Sequence, residues 1–176
     1  MKKLGPVGMK WLKIFHIILV ALFFGGIMSS LALHFGFKLA TYNEAFEIYK
    51  GLVVVSDYII RIGAVGTLLI GVIYGFLTNW GFFKHKWITV KWILFIIQTL
   101  IGIFIVDHLM MANMAILEKE QSIALNNPVF ISNHLLRQQA VILQVVITVF
   151  IICISVLKPW KKKKIIQSKE IMQLKR

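Results

Sequence analysis

The sequence predicts an all-α fold: an integral membrane four-helix bundle with both termini on the cytoplasmic side. Three observations predict it. Four apolar runs, at about 14–37, 58–77, 87–106 and 140–157, each approach the ~20 residues a helix needs to cross a bilayer core. Of 176 residues, 59% are hydrophobic and only 15% charged, with a mean hydropathy of +0.81, more apolar than a soluble domain of this length. Finally, the charges are sorted: fifteen of the twenty Lys and Arg side chains fall at the N-terminus, in the middle loop or at the C-terminus. With six of the seven acids in the other two loops, one side sums to +14 and the other to −1. That asymmetry is the positive-inside signal and puts both ends in the cytoplasm.

The expected helices span about 11–37, 57–79, 87–109 and 136–158, with a basic cytoplasmic tail over 159–176, all in one domain. The first run is longer than the apolar segment of a signal peptide and no small-residue cleavage site follows, so it is read as a retained helix. The first outer loop, 38–57, carries Tyr42, Glu44, Phe46, Glu47 and Tyr49, a mixture that predicts a short interfacial helix. The second helix is rich in glycine (Gly63, Gly66, Gly71, Gly75), and its Gly71–Gly75 spacing predicts close helix packing. A tight inner loop over 79–86 makes helices two and three antiparallel neighbours. The second outer loop, 107–137, is the longest and contains Met110, Met111, Met114 and Pro128. Pro159 stops the fourth helix after Lys158, and Trp11, Trp80, Trp87, Trp92 and Trp160 form an aromatic belt at the inner boundary.

The net charge of +13 is carried mostly by these flanks and the tail. Their expected partner is the anionic headgroup surface of the bilayer, each Lys contributing about 1 kcal/mol there, and not nucleic acid. The single cysteine, Cys153, lies in the fourth run without CxxC or CxxCH spacing, and packing is its expected role. No P-loop, GxGxxG, GxSxG or HExxH occurs.

Polar side chains within membrane helices are costly, so each marks a candidate site. His16 lies one turn inside the first helix, where an imidazole is too short to snorkel, and neutral imidazole is a haem-iron ligand. Lys91 lies at similar depth in the third helix. Gln98 and Gly102 follow seven and eleven residues later on the same face, within about 20° of it at ~100° per residue. A face that is polar and then small suits a flat ligand in a bundle interior. The alternatives are a packed histidine and a snorkelling lysine. His34 shares the face of His16 but lies ~27 Å along the axis, at 1.5 Å per residue. With His108 and His134 it forms an outer group that could bind a second haem or a metal ion, and the nearby methionines would suit Cu(I); otherwise these are interfacial histidines. His85, in the inner loop, is read as solvated. Asp57 and Arg61, four apart, are expected to pair.

The stretch Trp11-Leu12-Lys13-Ile14-Phe15-His16, followed by Phe24-Gly25-Gly26, resembles the first helix of the HemJ-type protoporphyrinogen oxidases and the wider CopD-like group of bacterial membrane proteins. Gly81 followed by Trp87-Ile88-Thr89-Val90-Lys91 resembles the HemJ turn with a tryptophan shortly before a lysine, and Lys158-Pro159-Trp160 resembles its lysine-proline-aromatic end. The chain departs from that pattern at Ser29-Ser30-Leu31-Ala32, where HemJ proteins have leucine-proline-arginine-leucine. It also lacks their asparagine-glutamate-x-proline before the fourth helix.

The resemblance implies a multi-pass protein of the bacterial cytoplasmic membrane with b-type haem. His16 would be a ligand, Lys91 a second ligand or essential partner, and Gln98 and Gly102 would shape the pocket. Electrons would pass to or from a quinone or a porphyrinogen. Copper handling or transport at His34, His108 and His134, and an accessory role without cofactor, stay open, as does the oligomeric state.

Overall fold

The computed structural model describes residues 4–36, 39–78 and 81–160. The expectations for Lys2, Lys3, Lys38, Trp80 and the lysine-rich tail beyond Trp160 lie outside the described residues. Every regular element described is helical. Helix α1 spans Pro6–Gly36; α2 (Tyr42–Val55) runs through a π turn at Ser56–Ile60 into α3 (Arg61–Leu77). In the same way α4 (Lys86–Ile101) runs through a π turn at Gly102–Asp107 into α5 (His108–Glu120), which ends in a 3₁₀ segment, Gln121–Asn126; α6 spans Pro128–Leu157. Four long apolar helices result: Pro6–Gly36, Tyr42–Leu77, Lys86–Asn126 and Pro128–Leu157. Their length and composition fit a multi-pass membrane protein. So does their exterior, which exposes Phe15, Ile18, Leu69, Phe104, Val146 and Phe150, each more than half accessible; contiguous apolar surface of this extent is rare on soluble monomers.

The predicted outer loops are corrected. They are helical: 42–57 continues the second helix, 107–126 the third and 128–137 the fourth. At 1.5 Å per residue the run from Lys86 to Glu120 reaches roughly 50 Å, well beyond a hydrocarbon core of ~30 Å, before Gln121 ends it with a positive φ (49°). The reason is local. Thr41 and Glu44 form a reciprocal capping box, in which the Thr41 hydroxyl accepts from Glu44 N–H and the Glu44 carboxylate accepts from Thr41 N–H. Beyond this cap Ala45, Ile48, Tyr49 and Leu52 recur at helical spacing and are buried, while Asn43, Glu44, Glu47 and Lys50 face outward. The helix is therefore amphipathic, but its apolar face meets α5 and Phe130 and not a lipid surface. A turn at Asn127 closes the outer end: its side chain accepts from Val129 N–H and donates to Glu120, and Pro128 opens α6 at a position that needs no N–H partner. Lys158 caps α6 in the left-handed conformation (φ 47°) before Pro159, where the sequence predicts the stop.

The helices form a ring. Helix α1 packs against α3 and α6, α4 and α5 pack against α6, and α2 packs against α5. Gly63 sets the tightest approach: a Cβ there would lie 2.5 Å from the backbone nitrogen of Phe23 on α1. Gly71 and Gly75, the predicted close-packing pair, instead face rings, Trp92 and Phe82 respectively. Buried apolar side chains gather in an outer cluster around Tyr49, Met110, Leu117 and Phe130, and in a middle cluster around Phe23, Ile27, Val106 and Val141. Cys153, expected to pack inside, lies on the exposed face of α6.

Candidate functional site

At the inner end, α1 starts beside the end of α3, with Leu4 N–H bonded to the Leu77 carbonyl (3.1 Å). The His16 ring stands edge-on to Tyr74 of α3, centroids 5.8 Å apart, and its Nδ1 is buried without a hydrogen-bond partner. Lys91 of α4 is close enough for its charge to act on the His16 ring. Its ammonium sits over Trp87, 5.5 Å from the ring centroid, and Lys158 approaches the same indole at 5.6 Å. Lys91 is thus half-buried against an aromatic face. Between α3 and α4 the space beside Gly71 and Gly75 holds the rings of Trp92 and Phe82, themselves 5.4 Å apart. Aromatic rings, one imidazole and one amine thus lie at the same end of the bundle.

Gln98 and Gly102 fall elsewhere. Gln98 is buried against α6: its backbone carbonyl accepts from Gln144 Nε2 (3.0 Å) and its side-chain carbonyl accepts from the Thr148 hydroxyl (3.0 Å). A Cβ on Gly102 would meet the same Gln144 amide at 3.1 Å. Both residues join α4 to α6, the polar glue of a helix pair in an apolar medium.

At the outer end the three histidines separate. His34 and His134 stack, with centroids 3.9 Å apart and planes 17° apart. Imidazole lone pairs lie in the ring plane, so those of two parallel stacked rings run side by side and do not converge on one ion. His108 is exposed and lines an open groove of about 460 Å³ with Phe104, Leu136 and Gln139. Among the described residues no three His, Cys, Asp or Glu side chains are placed to hold a metal ion.

A polar network surrounds the stacked pair. His134 Nδ1 shares a hydrogen bond with the Tyr49 hydroxyl (2.9 Å), Asn113 Nδ2 donates to that hydroxyl (2.8 Å) and to the Phe130 carbonyl (3.0 Å), and Asn133 donates to Asn113 Oδ1 (3.0 Å). One turn deeper lies Arg137, 2% exposed, with Nη2 donating to Ser30 Oγ (2.7 Å). Asp107 accepts from Ser56 (2.7 Å) and from Arg61 (3.4 Å), and Arg61 also makes the predicted pair with Asp57 (2.9 Å). These contacts tie the two π turns together, since Ser56 begins one and Asp107 ends the other.

Arg137, Tyr49 and Asn113 do not figure among the sequence-predicted site residues. The signal for Arg137 is a stripe on α6: Phe130, His134, Arg137, Val141, Gln144 and Thr148 recur at alternating four- and three-residue spacing, and all but half-buried His134 are buried. Starting the fourth run at residue 140 hides it. The arrangement defines a helical bundle with an apolar exterior and polar networks set among its apolar core clusters. No family model, curated protein or solved structure matches the chain.

Proposed function

We propose that the protein is a multi-pass protein of a bacterial cytoplasmic membrane, with both termini inside, that binds b-type haem at its inner end and serves a redox role. The observation that carries this reading is the His16–Lys91 site: a buried imidazole nitrogen without a partner, beside an amine from a different helix, among flat aromatic walls. These residues fit the group. His16 would be the axial ligand, as an imidazole in a bundle core suits haem iron. Lys91 would hold a positive charge beside it, and the Tyr74, Trp92 and Phe82 rings would exclude water. Haem, when bound, supplies one-electron chemistry. A quinone or a porphyrinogen is the proposed electron partner, and the basic tail would lie on anionic headgroups.

A visible spectrum of the detergent-purified protein, expressed with ample haem, tests the reading. A Soret band is expected, lost in His16→Ala and kept in His34→Ala. A colourless wild-type preparation overturns it. The orientation is tested separately by single cysteines in a Cys153→Ser background: a thiol at Ser122 should react with an impermeant reagent in intact cells, and one at Lys84 should not.

A further inference from the structure

The most unusual group in the molecule is the Arg137 guanidinium. It is buried, and guanidinium stays charged in proteins. A buried charge needs a counter-charge or a full set of hydrogen bonds, and Arg137 has neither. Nη2 is bonded to Ser30, but Nε and Nη1 are buried with no partner. The nearest carboxylate, Asp107, is engaged by Ser56 and Arg61, and the Tyr49 hydroxyl is engaged by Asn113 and His134. A third orphan faces the same region: His34 Nδ1 is buried without a partner, with Gln138 in reach of the ring and Arg137 within charge range. The histidine itself is held flat against His134.

We infer that Arg137 and His34 form a binding site for a carboxylate-bearing ligand entering from the outer side. Three arguments select that chemistry. Among the described residues Arg137 makes no ion pair, so a single carboxylate could pair with it directly, whereas a phosphate dianion would bring a second charge with no cation to meet it. The unsatisfied atoms are nitrogens on two planar groups, one always a donor and one able to donate from the appropriate tautomer; a carboxylate, with two oxygens and about four acceptor positions, can satisfy all three. His34 also lies within three residues of the outer end of α1, so the donors are close to the aqueous boundary although Arg137 itself is buried. This inference does not depend on haem binding, whose site lies about five helical turns away.

The test is thermal unfolding of the purified full-length protein in detergent, replacing chloride by propionate at constant ionic strength. A saturable rise in Tm is expected, roughly 3–5 °C at tenfold over Kd, with none from propionamide, the neutral amide of the same shape. Arg137→Gln should abolish the response. If that variant does not fold, His34→Ala, at the edge of the bundle, should weaken the apparent affinity at least tenfold. His16→Ala should leave the response unchanged. Octanoate binding more than tenfold tighter than propionate would identify a carboxylate carried on an acyl chain and not a free small acid. No rise with propionate, an equal rise with propionamide, or an undiminished response in His34→Ala overturns the inference.

Discussion

The two ends of this bundle are built on different principles. The outer end is a small protein core: apolar side chains from α2, α5 and α6 close around Tyr49, Met110, Leu117 and Phe130, and a continuous polar network joins His134, Tyr49, Asn113 and Asn133. The inner end has glycines, rings and isolated polar groups: Gly71 and Gly75 are covered by Trp92 and Phe82, and the His16 Nδ1 has no partner. On the proposed membrane reading, the difference follows from the solvent each end would meet. A segment that projects beyond hydrocarbon gains from burying apolar area. One surrounded by lipid gains little, and relies on close packing and sparse hydrogen bonds. A core driven by water can position a network.

Substitutions can break this contrast in graded steps, each read by equilibrium unfolding in detergent. Leu117→Ala should have the largest effect. The side chain is fully buried in the outer core, and its truncation should cost about 2–5 kcal/mol. Gly63→Val should follow, at about 1–3 kcal/mol, because the new Cβ meets the α1 backbone and no flexible side chain can yield. Asn113→Ala should cost about 1–2 kcal/mol, since it strips a partner from the Tyr49 hydroxyl, the Phe130 carbonyl and Asn133 together. Thr148→Val should be smallest, at about 0.6 kcal/mol, the usual value of an interhelical hydrogen bond in a membrane bundle. If Thr148→Val proved as costly as Leu117→Ala, the proposed division between a water-driven end and a lipid-packed end would fail.

The same division explains what could be read from the sequence. Hydropathy marks long apolar stretches, so the four helices and the stop at Lys158-Pro159 were legible. It is silent about helix that continues past an apolar stretch. Thr41-Tyr42-Asn43-Glu44 carries its own start signal, but an apolar window does not register a capping box. The pairing of Asp57 with Arg61 was legible from their spacing; the addition of Asp107, 46 residues beyond Arg61, was not. Lys91 lies within charge range of His16, whereas Gln98 and Gly102 turn toward α6 because buried Gln144 and Thr148 offer them partners there. His34, His108 and His134 share one end, but helical phase separates His108 from the stacked pair, and phase was lost once 107–137 was read as loop.

The paired π turns have a consequence for how such a chain can change length. Each widened turn displaces the helical register, so deleting one residue within 56–60 would rotate everything on its outer side by about 100°. Tyr49 would move to the exposed position of Lys50, and Glu44 and Glu47 would take the buried positions of Ala45 and Ile48. A deletion within 102–107 would do the same to Asn113 and Leu117. Because Ser56 and Asp107 join the two turns, correcting one alone leaves the other out of phase. Single-residue insertions and deletions should therefore be better tolerated in matched pairs across the two turns than singly at either turn. A deletion scan along both helices would test that difference directly.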